Sequence, residues 1–143
     1  MLSKFEFRGI SSKTGRWYRG YITPKREVLG GEQIFCIYNE TKDILTESIK
    51  ETYVQILPET VGVFFGQKDM NGEKIFTGDK IEIFYQGVYR EGVCAFSEET
   101  FRYIFVDEET GQEVPFSSVE QVLIMGTIFD DLQKKITDGR NKR

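Results

Sequence analysis

The chain contains no histidine. That absence excludes Cys–His pairs, Ser–His–Asp triads and every histidine-bearing metal site. Cysteine is nearly absent too: Cys36 lies in "IFCIY" and Cys94 in "GVCAF", both inside apolar, strand-like runs. Thiols in such settings read as buried and reduced. A disulfide would require the two strands to be neighbours, which sequence spacing does not establish. No apolar run approaches the roughly 18 residues that a membrane-spanning helix requires. "MLSKFEFRGI" has no long apolar segment of the secretory kind, so a cytoplasmic protein with no membrane contact is expected. Internal repeats and low-complexity tracts are missing as well.

What the chain does have is aromatic residues: 12 Phe, 7 Tyr and 1 Trp in 143 residues, within 39% apolar content. That is enough for the core of one domain or of two very small ones. The net charge of −4 is unevenly spread. Residues 1–26 carry +6, residues 134–143 carry +4, and residues 27–133 carry −14. Such asymmetry fits a nucleic-acid face at the basic end, an acidic body pairing with another copy's basic end, or simply a solvated charged surface.

Period-two alternation dominates, so the fold class is all-β. "KFEFRGI", the turn "SKTG" and "RWYRGYIT" read as a hairpin over residues 4–23, with Pro24 breaking the strand and "KREVLGGEQ" forming a loop. "IFCIY", 34–38, reads as a buried strand. Residues 39–51 read either as a short helix, with Ile44, Leu45 and Ile49 on one face, or as a polar surface loop. "TYVQIL", 52–57, alternates again until Pro58, and "ETVGVFFG" extends as a further strand or arm. Strong strands follow at 79–86, 89–97, 101–107 and 122–130, with a hairpin turn at 108–112. "PFSSVEQ", 115–121, reads as a short strand and a tight turn. Short strands at this spacing suggest an SH3-like small barrel, an open sheet or a sandwich. "DDLQKKI", 130–136, predicts a short terminal helix, and "TDGRNKR" should fray. The expected organisation is an N-terminal β-hairpin or sheet over 1–66, a C-terminal SH3-like barrel over 67–129, and the helix and basic tail over 130–143, together one compact unit.

The most patterned stretch is "TVGVFFGQKDMNGEKIFTGDKIEI", residues 60–83. Read as a calcium loop from Asp69, it needs glycine at position 6 and glutamate at position 12. Lys74 and Lys80 stand there instead, placing cations where a dication must bind. Read as a phosphate loop, it has Glu73 where lysine belongs. The turn reading is stronger. Asn71-Gly72 suits a type I′ turn, in which both central residues take positive φ, and Gly78-Asp79 lets the chain bend before "KIEIF". Gly66, Asp69, Asn71, Gly72, Gly78 and Asp79 thus form a structural turn motif.

Thr60, Val61, Gly62, Phe64, Gly66, Asp69, Asn71, Gly72, Ile75, Phe76, Gly78, Asp79 and Ile81 also fall, in order, on the signature of the YopX family, which this stretch resembles. "KFEFRGISSKTGRWYRGY" resembles that family's opening, with Ile10 where an aromatic usually stands. "VLIMGTIFDD" resembles its ending, with Thr127 in place of asparagine. The resemblance spans nearly the whole chain. It implies a mostly-β fold, a phage or prophage origin and expression in a host bacterium's cytoplasm, and it carries no catalytic assignment.

Three roles remain. The first is a non-catalytic binding or assembly module with a protein partner or self-association. The second is nucleic-acid binding through Arg8, Arg16, Trp17, Tyr18, Arg19, Tyr21, Lys25 and Arg26, where cations interleave with stacking rings. The third is a carboxylate-based hydrolase, which would need acids with raised pKa in a concave pocket. No residue is assigned to catalysis, to a cofactor or to a metal.

Overall fold

The computed structural model describes the backbone of residues 6–26, 33–42 and 49–141, and the side chains of residues 6–21 and 54–139. The strands, in chain order, are β1 (Phe7–Ile10), β2 (Trp17–Arg26), β3 (Gln33–Lys42), β4 (Ile49–Gln55), β5 (Gly62–Lys68), β6 (Lys74–Phe76), β7 (Asp79–Tyr85), β8 (Val88–Ser97), β9 (Arg102–Asp107), β10 (Glu113–Pro115) and β11 (Glu120–Thr127). One helix, α1 (Asp130–Asn141), follows them. The molecule is mainly β, with antiparallel sheets and a short C-terminal helix. The chain divides into two compact units: Met1–Val63 with Leu132–Arg143, and Phe64–Asp131. The division falls inside β5, and the helix from Leu132 groups with the first unit.

In the first unit β4, β3, β2 and β1 lie side by side, and the start of β5 pairs with β1 through Phe7–Val63 and Arg8–Gly62. A 3-10 turn over Pro58–Thr60 leads into β5. Thr60 is fully buried there. Its hydroxyl accepts from the Ile10 N–H at 2.9 Å and donates to the Leu57 carbonyl at 2.7 Å. Leu57 N–H in turn donates to the Ile10 carbonyl. A methyl-for-hydroxyl exchange at Thr60 would leave a buried N–H without its acceptor. Ile10 and Ile56 complete this small core. Gly9 is what admits Ile56, because a Cβ there would stand 2.6 Å from Ile56 Cδ1.

In the second unit β5 continues by pairing with β6, and a five-stranded sheet runs β10-β9-β8-β7-β11. That order is shared by a small barrel and an open sheet. Alternation works as the sequence predicts: Ile81 and Ile83 are buried, while Lys80 is exposed and Glu82 partly so. Around them pack Ile75, Cys94, Val114, Phe105 and Phe116. Cys94 is buried; the side chain of Cys36 lies outside the described residues. Gly92 is fixed by packing, since a Cβ there would meet the Val106 carbonyl at 2.1 Å and the Phe105 ring at 2.6 Å.

Several local expectations are corrected. Pro24 does not end its strand; β2 runs on to Arg26, with Pro24 opposite Phe35. A proline's fixed φ is compatible with extended backbone, and pairing with β3 carries the strand through it. Residues 39–42 and 49–51 are neither helix nor loop. They extend β3 and β4 through pairs from Asn39–Thr52 to Lys42–Ile49, and cross-strand pairing overrides the weak helical pattern. Ile44 and Leu45 lie outside the described residues. Phe116–Ser118 form a 3-10 turn, not part of a strand. The helix does not stop at 136 but continues to Asn141. Its start is tied to the end of β11: the Thr127 N–H and hydroxyl both donate to the Asp130 carboxylate, at 3.1 and 3.0 Å, and the Thr127 hydroxyl accepts the Phe129 N–H at 3.0 Å.

Candidate partner-binding surface

Asp69 shows what the patterned stretch does. Its Oδ1 accepts the N–H groups of Asn71 and Glu73, both at 2.9 Å, and its Oδ2 accepts that of Ile124 at 3.1 Å. The backbone adds Gly72 N–H to the Asp69 carbonyl and Asp69 N–H to the Glu73 carbonyl. Gly72 has φ +80, whereas Asn71 is not among the positive-φ residues. The turn is therefore a three-residue hairpin loop closed by a left-handed glycine, which corrects the type I′ expectation. The type I′ signature sits elsewhere, at Gln86-Gly87 (φ 50 and 82), between paired Tyr85 and Val88.

The Asp69 loop also covers an edge. β11 is the last strand of its sheet, and it receives Met70 N–H on the Val122 carbonyl while giving Ile124 N–H to Asp69. An exposed edge strand invites unwanted pairing, and this contact blunts it. Asp79, 1% exposed, accepts the Phe76 N–H at 2.8 Å. Gly78 (φ +93) donates to Cys94 and accepts from Ile128. Gly66 (φ +95) takes up the register shift between Phe64 and Lys68.

The basic N-terminal set is only partly assembled. In register, Arg8 faces Arg19 and Ile10 faces Trp17, so these share one side of the hairpin, with Tyr18 on the other. Arg8 is only 7% exposed, and its guanidinium lies 4.5 Å from the Trp17 ring centre. Its guanidinium packs on that ring and leaves little of the side chain at the surface. Arg16 and Arg19 are exposed, and Trp17, Tyr18 and Tyr21 are half-buried. Lys25 and Arg26 lie on β2, with side chains outside the described residues.

Strand reading alone does not reveal that three hairpin loops are built alike. "SSKTGR" (11–16), "DEETGQ" (107–112) and "SEETFR" (97–102) share one plan. A Ser or Asp opens each loop and its side chain accepts backbone N–H groups: Ser11 from Lys13 and Thr14, Asp107 from Glu109 and Thr110, Ser97 from Thr100. A left-handed residue closes each: Gly15 (φ 73), Gly111 (φ 73) and Phe101 (φ 54). Phenylalanine thus holds a glycine position, and it is 81% exposed.

Phe101 begins a chain of rings. It meets Phe96 edge-on at 5.9 Å, Phe96 meets Tyr103 at 5.1 Å, Tyr103 stacks on Phe65 at 4.5 Å, and Phe65 meets Phe116 at 4.9 Å. The core thereby reaches the surface, where Phe96 remains 42% exposed. Burial, with a lesser contribution from nearby Cys94, pushes the Tyr103 hydroxyl above its ordinary pKa, so it stays neutral. Exposed Glu98 and Glu99 sit in the same loop. The arrangement offers aromatic faces beside negative charge, chemistry suited to apolar and cationic side chains.

An acid-lined cleft of about 270 Å³ lies among Glu82, Tyr89, Arg90, Glu91, Asp107, Glu108 and Glu109. Asp107 is held below its usual pKa, first by the Thr110 N–H, then by the Glu109 N–H and Arg90. Arg90 donates to it at 3.3 Å and to Gln112 at 3.0 Å. A general acid requires the opposite shift.

A family model described as YopX protein matches residues 6–133, most of the chain. No curated protein and no solved structure matches it.

Proposed function

We propose that this chain, which belongs to the YopX family, is a non-catalytic binding or assembly module of phage or prophage origin, working in the host cytoplasm. The observation that carries this reading is Phe101. A large apolar ring, 81% exposed, occupies a left-handed position that two sibling loops give to glycine. Local strain at an exposed aromatic is the kind of departure that binding sites retain. The signature residues Thr60, Asp69, Gly72, Gly78 and Asp79 support the same reading, because their polar atoms and backbone conformations build turns.

The test compares wild type with Phe101→Gly. The expected result is a complex, with another macromolecule or with itself, that the folded F101G protein loses. Retention of every association by folded F101G overturns the reading. Nucleic-acid binding is the second reading, favoured by exposed Arg16 and Arg19 interleaved with Trp17, Tyr18 and Tyr21. Filter binding of single-stranded DNA at low and moderate salt decides it: retention must fall as salt rises.

A further inference from the structure

We infer that the aromatic tip of the β8–β9 hairpin docks on the basic first unit of a second copy of this chain, which makes the assembly head-to-tail. The inference rests on the binding-module reading and specifies its partner. The charge is divided by unit. The first unit holds 14 Lys/Arg and 9 Asp/Glu, a net +5; the second holds 5 and 14, a net −9. The tip itself pairs exposed Phe101 and Phe96 with Glu98 and Glu99. Two such tips cannot meet each other about a twofold axis without opposing their glutamates, so a symmetric tip-to-tip dimer is disfavoured.

The complementary surface is present in the same sequence. Lys13 and Arg16 are exposed in the Ser11–Arg16 loop, and Arg19 is exposed on β2. The helix that packs on that loop adds further cations to the first unit. Ile136 and Thr137 lie so close to Gly15 that a Cβ there would meet them at 3.1 and 3.0 Å. The preceding Lys134 and Lys135 are exposed. Cations around a hairpin that also presents half-buried Trp17 beside Arg19 match a tip of rings and carboxylates. A heterologous contact of this kind leaves one free tip and one free receptor on every pair, so association continues beyond the dimer unless the ring closes. A contact centred on one hairpin is small, and such contacts are weak and sensitive to salt.

Sedimentation velocity of the full chain tests this. Average mass should rise with protein concentration at about 0.1 M salt and fall back towards the monomer at about 1 M. F101G should weaken association by at least about tenfold. It is expected to fold, because Gly15 and Gly111 serve the same backbone position. Glu98→Lys/Glu99→Lys and Lys13→Glu/Arg16→Glu should each abolish association alone, and an equimolar mixture of the two should restore it. A wild type that is monomeric at every concentration overturns the inference, as does failure of the mixture to associate. A monomeric wild type that still holds another macromolecule through Phe101 leaves the binding-module reading standing. A folded F101G that keeps all associations removes both.

Discussion

At Phe101 the backbone and the side chain pull in different directions. Its left-handed conformation costs an L-residue with a Cβ about 1–2 kcal/mol, and its ring gains little burial in return. Phe101→Gly and Phe101→Ala lose the same ring contact with Phe96, but only alanine keeps the Cβ. F101G is therefore expected to be more stable than F101A by about 1 kcal/mol in urea denaturation. Equal stabilities would mean that the loop relaxes out of the left-handed region. Asp107 makes a different prediction. Its folded pKa lies below the usual 3.8, chiefly because backbone N–H groups bond the ionised carboxylate. A depressed carboxylate pKa stabilises the fold above 3.8, and that stabilisation is lost as pH falls through the lower, folded value. Asp107→Asn should therefore flatten the acid side of the stability–pH curve while leaving its slope above pH 6 unchanged. Chemical denaturation at stepped pH reads this, and an unaltered acid limb would show that Asp107 carries no such linkage.

Elements were legible wherever one face is wet and the other dry. β7 announces itself by Ile81 and Ile83 against Lys80 and Glu82, and the β1–β2 hairpin by alternation with a turn between. Legibility failed where tertiary pairing decides. Nothing near Pro24 tells that β2 will run through it beside β3, and nothing in "NETK" tells that "IKET" will lie beside it. Asn71-Gly72 misled because its turn is set by Asp69, whose side chain satisfies three N–H groups and so selects a longer loop. The exposed ring at the β8–β9 tip was hidden for a related reason: "SEETFR" looks unlike a turn until it is laid beside "SSKTGR" and "DEETGQ". The same comparison yields a test. Gly15 and Gly111 share φ +73, but nothing lies within 4 Å of a Cβ at Gly111, while Ile136 and Thr137 crowd one at Gly15. Gly111→Ala should cost about 1–2 kcal/mol from backbone strain alone. Gly15→Ala should cost measurably more, because the helix must also shift. Matching losses in thermal or urea unfolding would show that the helix does not press on the loop.

At the scale of the whole molecule the chain builds a basic unit and an acidic unit, and returns to the first after finishing the second. The return is made by the helix. Its first residues, Asp130 and Asp131, belong to the second unit, and Leu132 onwards belongs to the first. Half-buried Leu132 and Ile136, with Ile136 against the Gly15 loop, give the helix a reason to persist past the length its polar sequence suggests. Trp17 is the sole tryptophan and lies in the first unit, so its fluorescence isolates that unit. Ending the chain after Asp131 keeps the Thr127–Asp130 bonds but removes the apolar cover. The Trp17 unfolding transition should then fall by about 1–3 kcal/mol, the scale of one or two partly buried aliphatic side chains. Amide exchange in β7, β8 and β9 should stay as slow as before, because the core around Ile81, Ile83 and Phe105 lies wholly within the second unit. An unmoved Trp17 transition would mean that the returning helix adds nothing to the first unit's stability. Fast exchange throughout β7–β9 would mean that the two units fold only together, and the head-to-tail assembly would then have to be argued for the chain as a single body.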